Sequence, residues 1–297
     1  MATVAFFGLG HMGGPMAAHL VTAGHTVLGL DPDAAVASAA ATTGVRVGLE
    51  PGDAVAEADV VITMLPAGSF VLEVYERMLP HARHGTLFID SSTISVDDAR
   101  RAHELAVAAG HRAVDAPVSG GVVGATAGTL TFMVGGAESD VDAARVLLDA
   151  MGARVVHCGG PGLGQAAKLC NNLILAVSMI AVSEAFVLGE SLGLEHDALF
   201  EVASTSSGQC WALSTNCPVP GPVPTSPANR DYAPGFAGAL MAKDLGLAIE
   251  AVRDGGVAAE LGEAAEAIYR RFASEGGAGL DFSAIIGDIR DRSGKVA

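Results

Sequence analysis

Aromatic residues and cysteines are scarce in this 297-residue chain. Aromatics make up 5% of it, with a single tryptophan, and there are four cysteines. Those cysteines, Cys158, Cys170, Cys210 and Cys217, form no C-x-x-C pair, and the nine histidines show no H-E-x-x-H spacing. The pattern predicts reduced thiols and no structural metal, and it excludes a disulfide framework.

Basic residues are also few, since 17 Lys and Arg face 33 Asp and Glu and give a net charge of −16. Nucleic acids and anionic membranes would repel such a surface, so we expect neither as a partner. Only three of the basic residues are lysines: Lys168, Lys243 and Lys295. One explanation for the small number of lysines is a bias toward arginine on the surface. Alternatively, the two internal lysines do something that arginine cannot, because lysine can lose its proton.

No hydrophobic run is long enough to cross a bilayer comfortably. The longest, residues 173–188, contains Ser178, Ser183 and Glu184 and is better explained as a buried helix. The N-terminus enters an apolar strand with no basic region before it, which is not typical of a signal peptide. We therefore expect a cytoplasmic protein.

A G-x-G-x-x-G pattern follows the first apolar strand, residues 3–7, and opens a helix at 16–23 that Gly24 ends. A second strand at 26–30 ends in Asp31, at the spacing typical of a dinucleotide-binding turn. The glycines let backbone approach a pyrophosphate, and the Asp31 carboxylate can accept hydrogen bonds from a ribose diol. An acidic turn after a strand is the simpler alternative. The predicted cofactor-binding residues of this turn are Gly8, Leu9, Gly10, His11, Met12, Gly13 and Asp31.

The same carboxylate bears on the choice of cofactor. Asp31 and Asp33 would repel a 2′-phosphate, and the first nearby arginine is Arg46. The sequence therefore favours NAD over NADP as the cofactor.

Strands and helices alternate up to about residue 157. Further strands are predicted at 59–65, 86–90, 113–115, 129–134 and 154–157, and helices at 95–109 and 138–151. This alternation predicts an α/β, Rossmann-type, doubly wound and mainly parallel sheet. Ligands of such sheets lie at the carboxyl ends of the strands.

Three strand ends carry candidate ligand-binding residues. Leu65, Pro66 and Thr93 follow two of the strands and are predicted to contact the cofactor. The third end leads to Ser119, Gly120 and Gly121, whose successive N–H groups can bind an anion as a nest does. An ordinary Ser-Gly-Gly turn explains these three residues equally well.

A glycine-rich turn at residue 162 leads into a helix of roughly thirty residues that ends near 193, long enough to join two domains. Lys168 and Asn172 lie four residues apart and so share one face of it. We predict a NAD-binding domain at 1–162 and an all-helical domain for substrate and oligomerisation at 163–297, beginning with this helix.

The rest of the chain is predicted to contain helices at 197–204, 241–253, 258–273 and 281–290. Six prolines predict a stiff, extended loop at 217–235, between Trp211 and Phe236. The loop is either a surface crossing or a wall that shields a pocket from water. Lys243 forms either a local ion pair or a contact to cofactor or substrate, and its position does not separate the two.

These motifs resemble the β-hydroxyacid dehydrogenase family over essentially the whole chain. The resemblance covers the glycine turn, Asp-Ala-Pro-Val-Ser-Gly-Gly at 115–121, Gly-Leu-Gly-Gln-Ala-Ala-Lys-Leu-Cys-Asn-Asn at 162–172 and Met-Ala-Lys-Asp-Leu at 241–245. Two further segments, 206–211 and 216–221, are similar to the branch that acts on hydroxyisobutyrate. Three differences separate the chain from other branches. Members that act on 6-phosphogluconate have a histidine where this chain has Asn171, and imine-reducing relatives replace the lysine that is present here as Lys168. Relatives that prefer NADP usually have a basic residue after the second strand, where this chain has Asp31.

The resemblance implies that Lys168 is the catalytic lysine. It also implies that Ser119, Gly120, Gly121 and Asn172 hold the substrate, and that Leu65, Pro66, Thr93 and Lys243 join the glycine turn around NAD. Trp211 and Phe236 would form apolar walls suited to a methyl-bearing substrate. The expected assembly is a homodimer or homotetramer.

The expected reaction is oxidation of 3-hydroxyisobutyrate to methylmalonate semialdehyde, a step of valine degradation. Lys168 would take the hydroxyl proton while hydride passes to NAD, and desolvation would help the lysine to lose its own proton. One alternative is a sister enzyme for serine, threonate or tartronate semialdehyde. The other is a catalytically silent NAD-binding regulatory module, which would have no need of a desolvated lysine.

Overall fold

The computed structural model describes residues 1–294. Lys295 and the other last residues of the predicted second domain lie outside the described residues. The chain divides into two compact units, Met1–Lys168 and a unit that begins at Leu169. The boundary between the units falls inside one long helix, a few residues after the predicted boundary at 162/163.

A mixed sheet forms the centre of the first unit. Its strands within the described residues are β1 (Thr3–Phe7), β2 (Thr26–Leu30), β3 (Val60–Thr63), β4 (Leu87–Asp90), β5 (Arg112–Asp115), β6 (Val118–Ser119), β7 (Leu130–Gly135) and β8 (Gly152–Gly159).

The sheet order is β2-β1-β3-β4-β5-β7-β6, with β8 also paired to β7. Strands β1 to β5 pair in parallel, as do β7 and β8, whereas β7 runs antiparallel to β5 and β6. The chain therefore reverses direction along the sheet between β1 and β3. In an open α/β sheet this switch point is where a crevice forms at the carboxyl ends of the strands.

Alternating side chains of the strands build a core on each face of the sheet. On β1, Val4 and Phe6 enter one buried cluster while Ala5 and Phe7 enter the other. Helices cover both clusters, so the sheet is doubly wound and the predicted fold class is confirmed. The helices of this unit are α1 (Gly13–Thr22), α2 (Ala34–Ala41), α3 (Pro51–Glu57), α4 (Gly68–Met78), α5 (Val96–Ala108), α6 (Gly121–Ala127) and α7 (Glu138–Met151).

The long helix α8 (Leu163–Ser191) has 29 residues and contains the unit boundary. It is the one helix among the described residues with the length and apolar composition of a membrane span. Half of its most apolar segment is buried within the protein, and the core helix of a soluble protein meets the same criterion.

The second unit is helical in the part that the structure describes. A buried cluster that includes Met179, Leu245 and Tyr269 joins α8 to α11 and α12. The helices that follow α8 are α9 (His196–Thr205), α10 (Trp211–Ser214), α11 (Gly238–Asp254), α12 (Glu260–Ser274) and α13 (Ile285–Arg292).

The prediction of a stiff, extended loop at 217–235 was wrong. The segment folds back on itself, with Ser226 Oγ donating to the carbonyl of Cys217 at 2.6 Å and Tyr232 Oη donating to that of Pro218 at 2.7 Å. Val219 and Val223 of this segment are themselves buried, and Pro227–Arg230 form a 3₁₀ turn. Side-chain hydrogen bonds to backbone, which proline spacing does not reveal, make it a compact loop.

The sequence analysis also missed the 11-residue helix α4 and four helices of at most eight residues, namely α2, α3, α6 and α10. Helix α2 is almost entirely alanine, so it lacks the apolar period that marks an amphipathic helix. Helix α6 begins at Gly121, directly after Gly120 with a φ of +133°. Two segments in the second unit also differ in their bounds. Helix α11 starts at Gly238 rather than at 241, and the helix predicted at 281–290 is a 3₁₀ turn, Phe282–Ala284, followed by α13.

Candidate active site

The glycine turn lies between β1 and α1, at the switch point of the sheet. Gly8 has a φ of +90°, and a Cβ there would overlap the carbonyl oxygen of Met64. A Cβ on Gly13 would overlap the carbonyl oxygen of Gly8, whereas one on Gly10 would meet nothing within 4 Å. Gly8 and Gly13 therefore hold the turn close to the sheet, while Gly10 leaves the exposed backbone open to a ligand.

The open backbone suits a pyrophosphate, because Met12, the residue before α1, makes no side-chain hydrogen bond to the first turn of the helix. Helix N-termini carry partial positive charge and N–H donors that favour anions. The residues present therefore fit the phosphate part of a dinucleotide.

The Asp31 side chain is held in place by two backbone donors. Leu9 N–H donates to one carboxylate oxygen at 2.8 Å, and Asp33 N–H donates to the other at 2.9 Å. Each oxygen keeps a second lone pair, so the carboxylate can still accept from hydroxyl groups. Asp33 itself caps α2 through the N–H of Ala35. The structure thus ties the glycine turn to the carboxylate predicted to bind ribose.

The ends of β3 and β4 are linked through Ser92. Leu65 N–H donates to Ser92 Oγ at 2.8 Å, which holds the turn after β3 against the turn after β4. Thr93, next along the chain, is half-buried, while Pro66 is exposed. The first unit therefore brings Leu65 and Thr93, two predicted cofactor-binding residues, to neighbouring strand ends.

Asp90 ends β4 and lies fully buried below this turn. Its Oδ1 accepts from Thr63 Oγ1 at 2.7 Å and from Ser92 N–H at 3.1 Å, whereas Oδ2 is buried with no partner among the described residues. Desolvation by burial raises the pKa of Asp90 to about 6, against these two hydrogen bonds. The same carboxylate adds to the effect of burial in raising the pKa of Tyr75.

Asp115, at the end of β5, anchors the start of α8. Its Oδ1 accepts from Gly162 N–H at 2.7 Å and its Oδ2 from Gln165 N–H at 2.9 Å. Burial raises the pKa of Asp115, while these N–H groups act in the opposite direction. A carboxylate at this position also complements the positive end of the helix dipole.

Lys168 lies one turn farther along α8, where only 7% of the residue is exposed. It is the last residue of the first unit. Asp115 fixes the helix start through backbone contacts, so the direction in which α8 leaves the sheet is set three residues before the lysine.

Ser119 and the two glycines form a tight turn between β6 and α6. Gly120 and Gly121 have φ values of +133° and +59°, and Ser119 pairs with Thr131 on β7. A Cβ on Gly120 would also approach Leu130 Cδ2 to 3.1 Å. Both glycines are therefore required by the turn, whichever ligand it binds.

In the second unit, Asp244 joins two residues predicted for different roles. Asn172 Nδ2 donates to Asp244 Oδ2 at 2.6 Å, and Lys243 Nζ lies 3.5 Å from Asp244 Oδ1. Asn172 and Asp244 are almost completely buried. The Lys243 contact fits the local ion pair, one of the two roles left open for this lysine.

Phe236 lies half-buried, with its ring 5.7 Å from that of Phe282. Asp281 Oδ2 accepts from the N–H groups of Gly235 at 3.0 Å and Phe236 at 3.1 Å, and these bonds fix the backbone at Phe236. Trp211 begins α10 and is about half exposed. Phe236 is thus packed against the core of the second unit with part of its surface exposed, and Trp211 keeps about half of its surface exposed.

Sequence reasoning assigned no role to Gln165, Asp115, Asp244 or Asp281. Asp115 and Asp244 stand inside motifs that the analysis quoted, and a carboxylate at the end of an apolar strand is a usable signal for a helix-anchoring residue. Asp281 caps the 3₁₀ turn that follows it through Ser283, but the partners that tie it to the segment before α11 lie 45 residues or more away in sequence.

Family models and relatives place this geometry among known proteins. A model described as the NAD binding domain of 6-phosphogluconate dehydrogenase matches residues 3–160. A second, described as NAD-binding of NADP-dependent 3-hydroxyisobutyrate dehydrogenase, matches residues 162–289. A probable 3-hydroxyisobutyrate dehydrogenase of Mycobacterium tuberculosis is 58% identical over 293 residues, or 99% of each chain. The chain belongs to the β-hydroxyacid dehydrogenase family.

The resemblance found from the motifs is therefore confirmed, and NAD is the cofactor. The structure of Mycobacterium tuberculosis 3-hydroxyisobutyrate dehydrogenase with L-serine matches this one with a TM-score of 0.95, at 58% identity, over 98% of this chain and 99% of that one. A NAD-dependent L-serine dehydrogenase of Pseudomonas aeruginosa is 45% identical over 96% of this chain and 97% of its own length. Family membership makes the protein an oxidoreductase that acts on a small hydroxy acid.

Proposed function

We propose that this oxidoreductase oxidises 3-hydroxyisobutyrate to methylmalonate semialdehyde with NAD, as a step of valine degradation in the cytoplasm. The observation that carries the proposal is a buried lysine, Lys168, on a helix whose start is anchored to the end of β5 through Asp115 and to the turn after β4 through Gln165. The 58% identity to a relative of that name supports the choice of substrate.

In this proposal, Lys168 acts as the general base. Its Nζ takes the proton of the substrate hydroxyl as the carbonyl forms, and in the reverse direction it returns that proton. When bound, NAD supplies the acceptor for the hydride of the hydroxyl-bearing carbon. Burial of Lys168 keeps water from competing for the proton, and it lowers the cost of holding the amine uncharged.

Other residues of the chain bind and orient the substrate. Ser119 and the N–H groups of Gly120 and Gly121 bind its carboxylate. Asn172, whose side-chain amide is held by Asp244, contacts the substrate near the reacting carbon. Trp211 and Phe236 provide apolar surface for the methyl group.

L-serine is the second candidate substrate. It differs from 3-hydroxyisobutyrate in carrying an ammonium group where the latter has a methyl group, and the hydroxyl-bearing carbon and the carboxylate are shared. One relative is a NAD-dependent L-serine dehydrogenase, and the structure of another was solved with L-serine. The same proton transfer to Lys168 would serve both acids.

The test of Lys168 is its replacement by alanine. We expect Lys168→Ala to lower kcat by a factor of about 100 or more, because it removes the general base, while the Kd for NAD stays within about twofold. Steady-state rates and a fluorescence titration with NADH measure the two quantities.

Cys170→Ala is the matched control, since Cys170 is exposed and lies in the same turn of α8. It should leave both values unchanged. Near-normal turnover in Lys168→Ala would remove the proposed role of the lysine.

A further inference from the structure

The side chain of Gln165 bridges the two backbone positions on either side of Thr93. Its Nε2 donates to the carbonyl oxygen of Ser92 at 2.7 Å, and its Oε1 accepts from Ile94 N–H at 3.2 Å. The partners fix the orientation of the amide, because a carbonyl can only accept and an N–H can only donate. Gln165 is completely buried, and its backbone N–H donates to Asp115 Oδ2.

This bridge joins two parts of the site that have separate roles. On one side is the turn after β4, where Ser92 Oγ also holds Leu65 N–H from the neighbouring turn. On the other side is the first turn of α8, three residues before Lys168. One amide thus ties the turn after β4 to the helix that carries the lysine.

Asp115 holds α8 to the end of β5, but its hydrogen bonds reach only the backbone of the helix start. Without the Gln165 amide, the buried Ile94 N–H would lose its acceptor and the buried Ser92 carbonyl would lose its donor at once. Both groups would then need new partners, which a shift of the turn away from α8 would supply.

We infer that Gln165 is a positioning residue. It keeps the Thr93 turn and Lys168 in the relative position that hydride transfer and proton transfer need in order to occur together. The inference rests on the proposed function, in which both elements act on one substrate. A displacement of about 1 Å between reacting groups is enough to lower a rate by about 100-fold.

The main test compares Gln165→Met with Thr86→Val. Methionine has nearly the length of glutamine but neither its donor nor its acceptor. Thr86 is a matched control at the opposite end of β4, where its buried hydroxyl donates to the Arg83 carbonyl at 2.6 Å. Both variants lose buried hydrogen bonds in the same unit, and only one of them lies at the site.

We expect Gln165→Met to lower kcat by about 10- to 100-fold and to raise the Kd for NADH several-fold. The deuterium isotope effect with substrate labelled at the hydroxyl-bearing carbon should increase, because hydride transfer becomes slower relative to the other steps. Thr86→Val should lower Tm to a similar extent and keep kcat within twofold. A kcat within threefold of the wild type in Gln165→Met, or equal losses in both variants, would overturn the inference.

Gln165→Glu provides a pH signature that a purely structural role would not give. A protonated carboxyl can still donate to the Ser92 carbonyl, whereas a carboxylate places two acceptors against each other. The ratio of variant to wild-type kcat should therefore rise as pH falls, at temperatures well below Tm. A ratio that stays flat from pH 5 to pH 9 would contradict the inference.

The outcome for the wild-type enzyme separates this inference from the proposed function. A wild type that turns over no hydroxy acid would remove the proposed function. The role of Gln165 would then be tested by comparing the Kd for NADH of Gln165→Met with that of the wild type. An unchanged Kd in Gln165→Met would in that case overturn the inference as well.

Discussion

At the scale of single residues, we propose that the Asp31 carboxylate sets the preference of the first unit for NAD. Asp31 is oriented by Leu9 N–H and Asp33 N–H, so its charge stays at the end of β2. A 2′-phosphate at that point would meet a fixed negative charge. NAD, with two free ribose hydroxyls, would instead donate hydrogen bonds to it.

Asp31→Asn should therefore weaken the preference for NAD. Hydrogen bonds to a charged group contribute about 1.5–3 kcal/mol, so kcat/KM with NAD should fall by about 10- to 100-fold while that with NADP rises or holds. Initial rates with each cofactor measure the change. Asp33→Asn is the control, since it removes an equal charge two residues away; an equal loss of preference there would assign the effect to net charge and not to Asp31.

The sequence was informative about these residues where a function requires a particular backbone shape. Gly8 and Gly13 could be assigned because a dinucleotide turn needs glycine at both positions, and the structure has them where any side chain would overlap backbone. Gln165 and Asp244 could not be assigned, because what matters about them is a hydrogen-bond partner distant in sequence. The Gln165 amide binds residues more than 70 positions away, which no local pattern encodes.

At the scale of elements, strands and long helices were predicted far better than short helices and loops. Helix α7 and strands β1 and β2 have the predicted bounds, because their apolar periods are regular. Helices α3 and α6 have seven residues each, too few for a period to be recognised. The loop at 217–235 was misjudged because its shape depends on buried side-chain hydrogen bonds and not on its prolines.

The end of β4 carries a buried acid whose protonation affects stability. The pKa of Asp90 is about 6 in the folded protein because of desolvation, against an ordinary value of 3.8. Between these pH values the folded state keeps a proton that the unfolded state has released. The contribution of Asp90 is therefore fully present below about pH 4 and is lost as pH rises through about 6, at a cost of roughly 3 kcal/mol.

We expect Asp90→Asn to remove this dependence. Relative to the wild type, its Tm should rise as the pH increases from 4 to 7, because the neutral amide carries no charge to desolvate. Thermal unfolding across that range measures the difference. The control is Asp97→Asn on the exposed face of α5, which should follow the wild-type curve. Parallel curves for Asp90→Asn and the wild type would contradict the account.

At the scale of the whole molecule, large apolar side chains are exposed on the second unit. Leu188, Leu192, Val202 and Leu261 are each more than half exposed. Large apolar side chains that stay exposed in one chain are often covered in a subunit interface. We therefore expect a homodimer or homotetramer in solution.

Light scattering coupled to size-exclusion chromatography tests this expectation. Leu188→Glu, on α8, should lower the oligomer mass, since a charge would be buried on association. Val123→Glu is the matched control, because Val123 is equally exposed but lies in the first unit. A wild-type enzyme that is active as a monomer would contradict the prediction.

The most direct test of the central claim is the initial rate of NADH formation from racemic 3-hydroxyisobutyrate with NAD. Parallel assays would use NADP, L-serine, threonate and glycerate. We predict the highest kcat/KM for 3-hydroxyisobutyrate with NAD, because Asp31 favours that cofactor and the apolar walls favour a methyl group over an ammonium or hydroxyl group. A higher value for L-serine would keep the Lys168 chemistry and replace the substrate. No NADH from any of these acids would contradict the account and leave a NAD-binding protein without this catalysis.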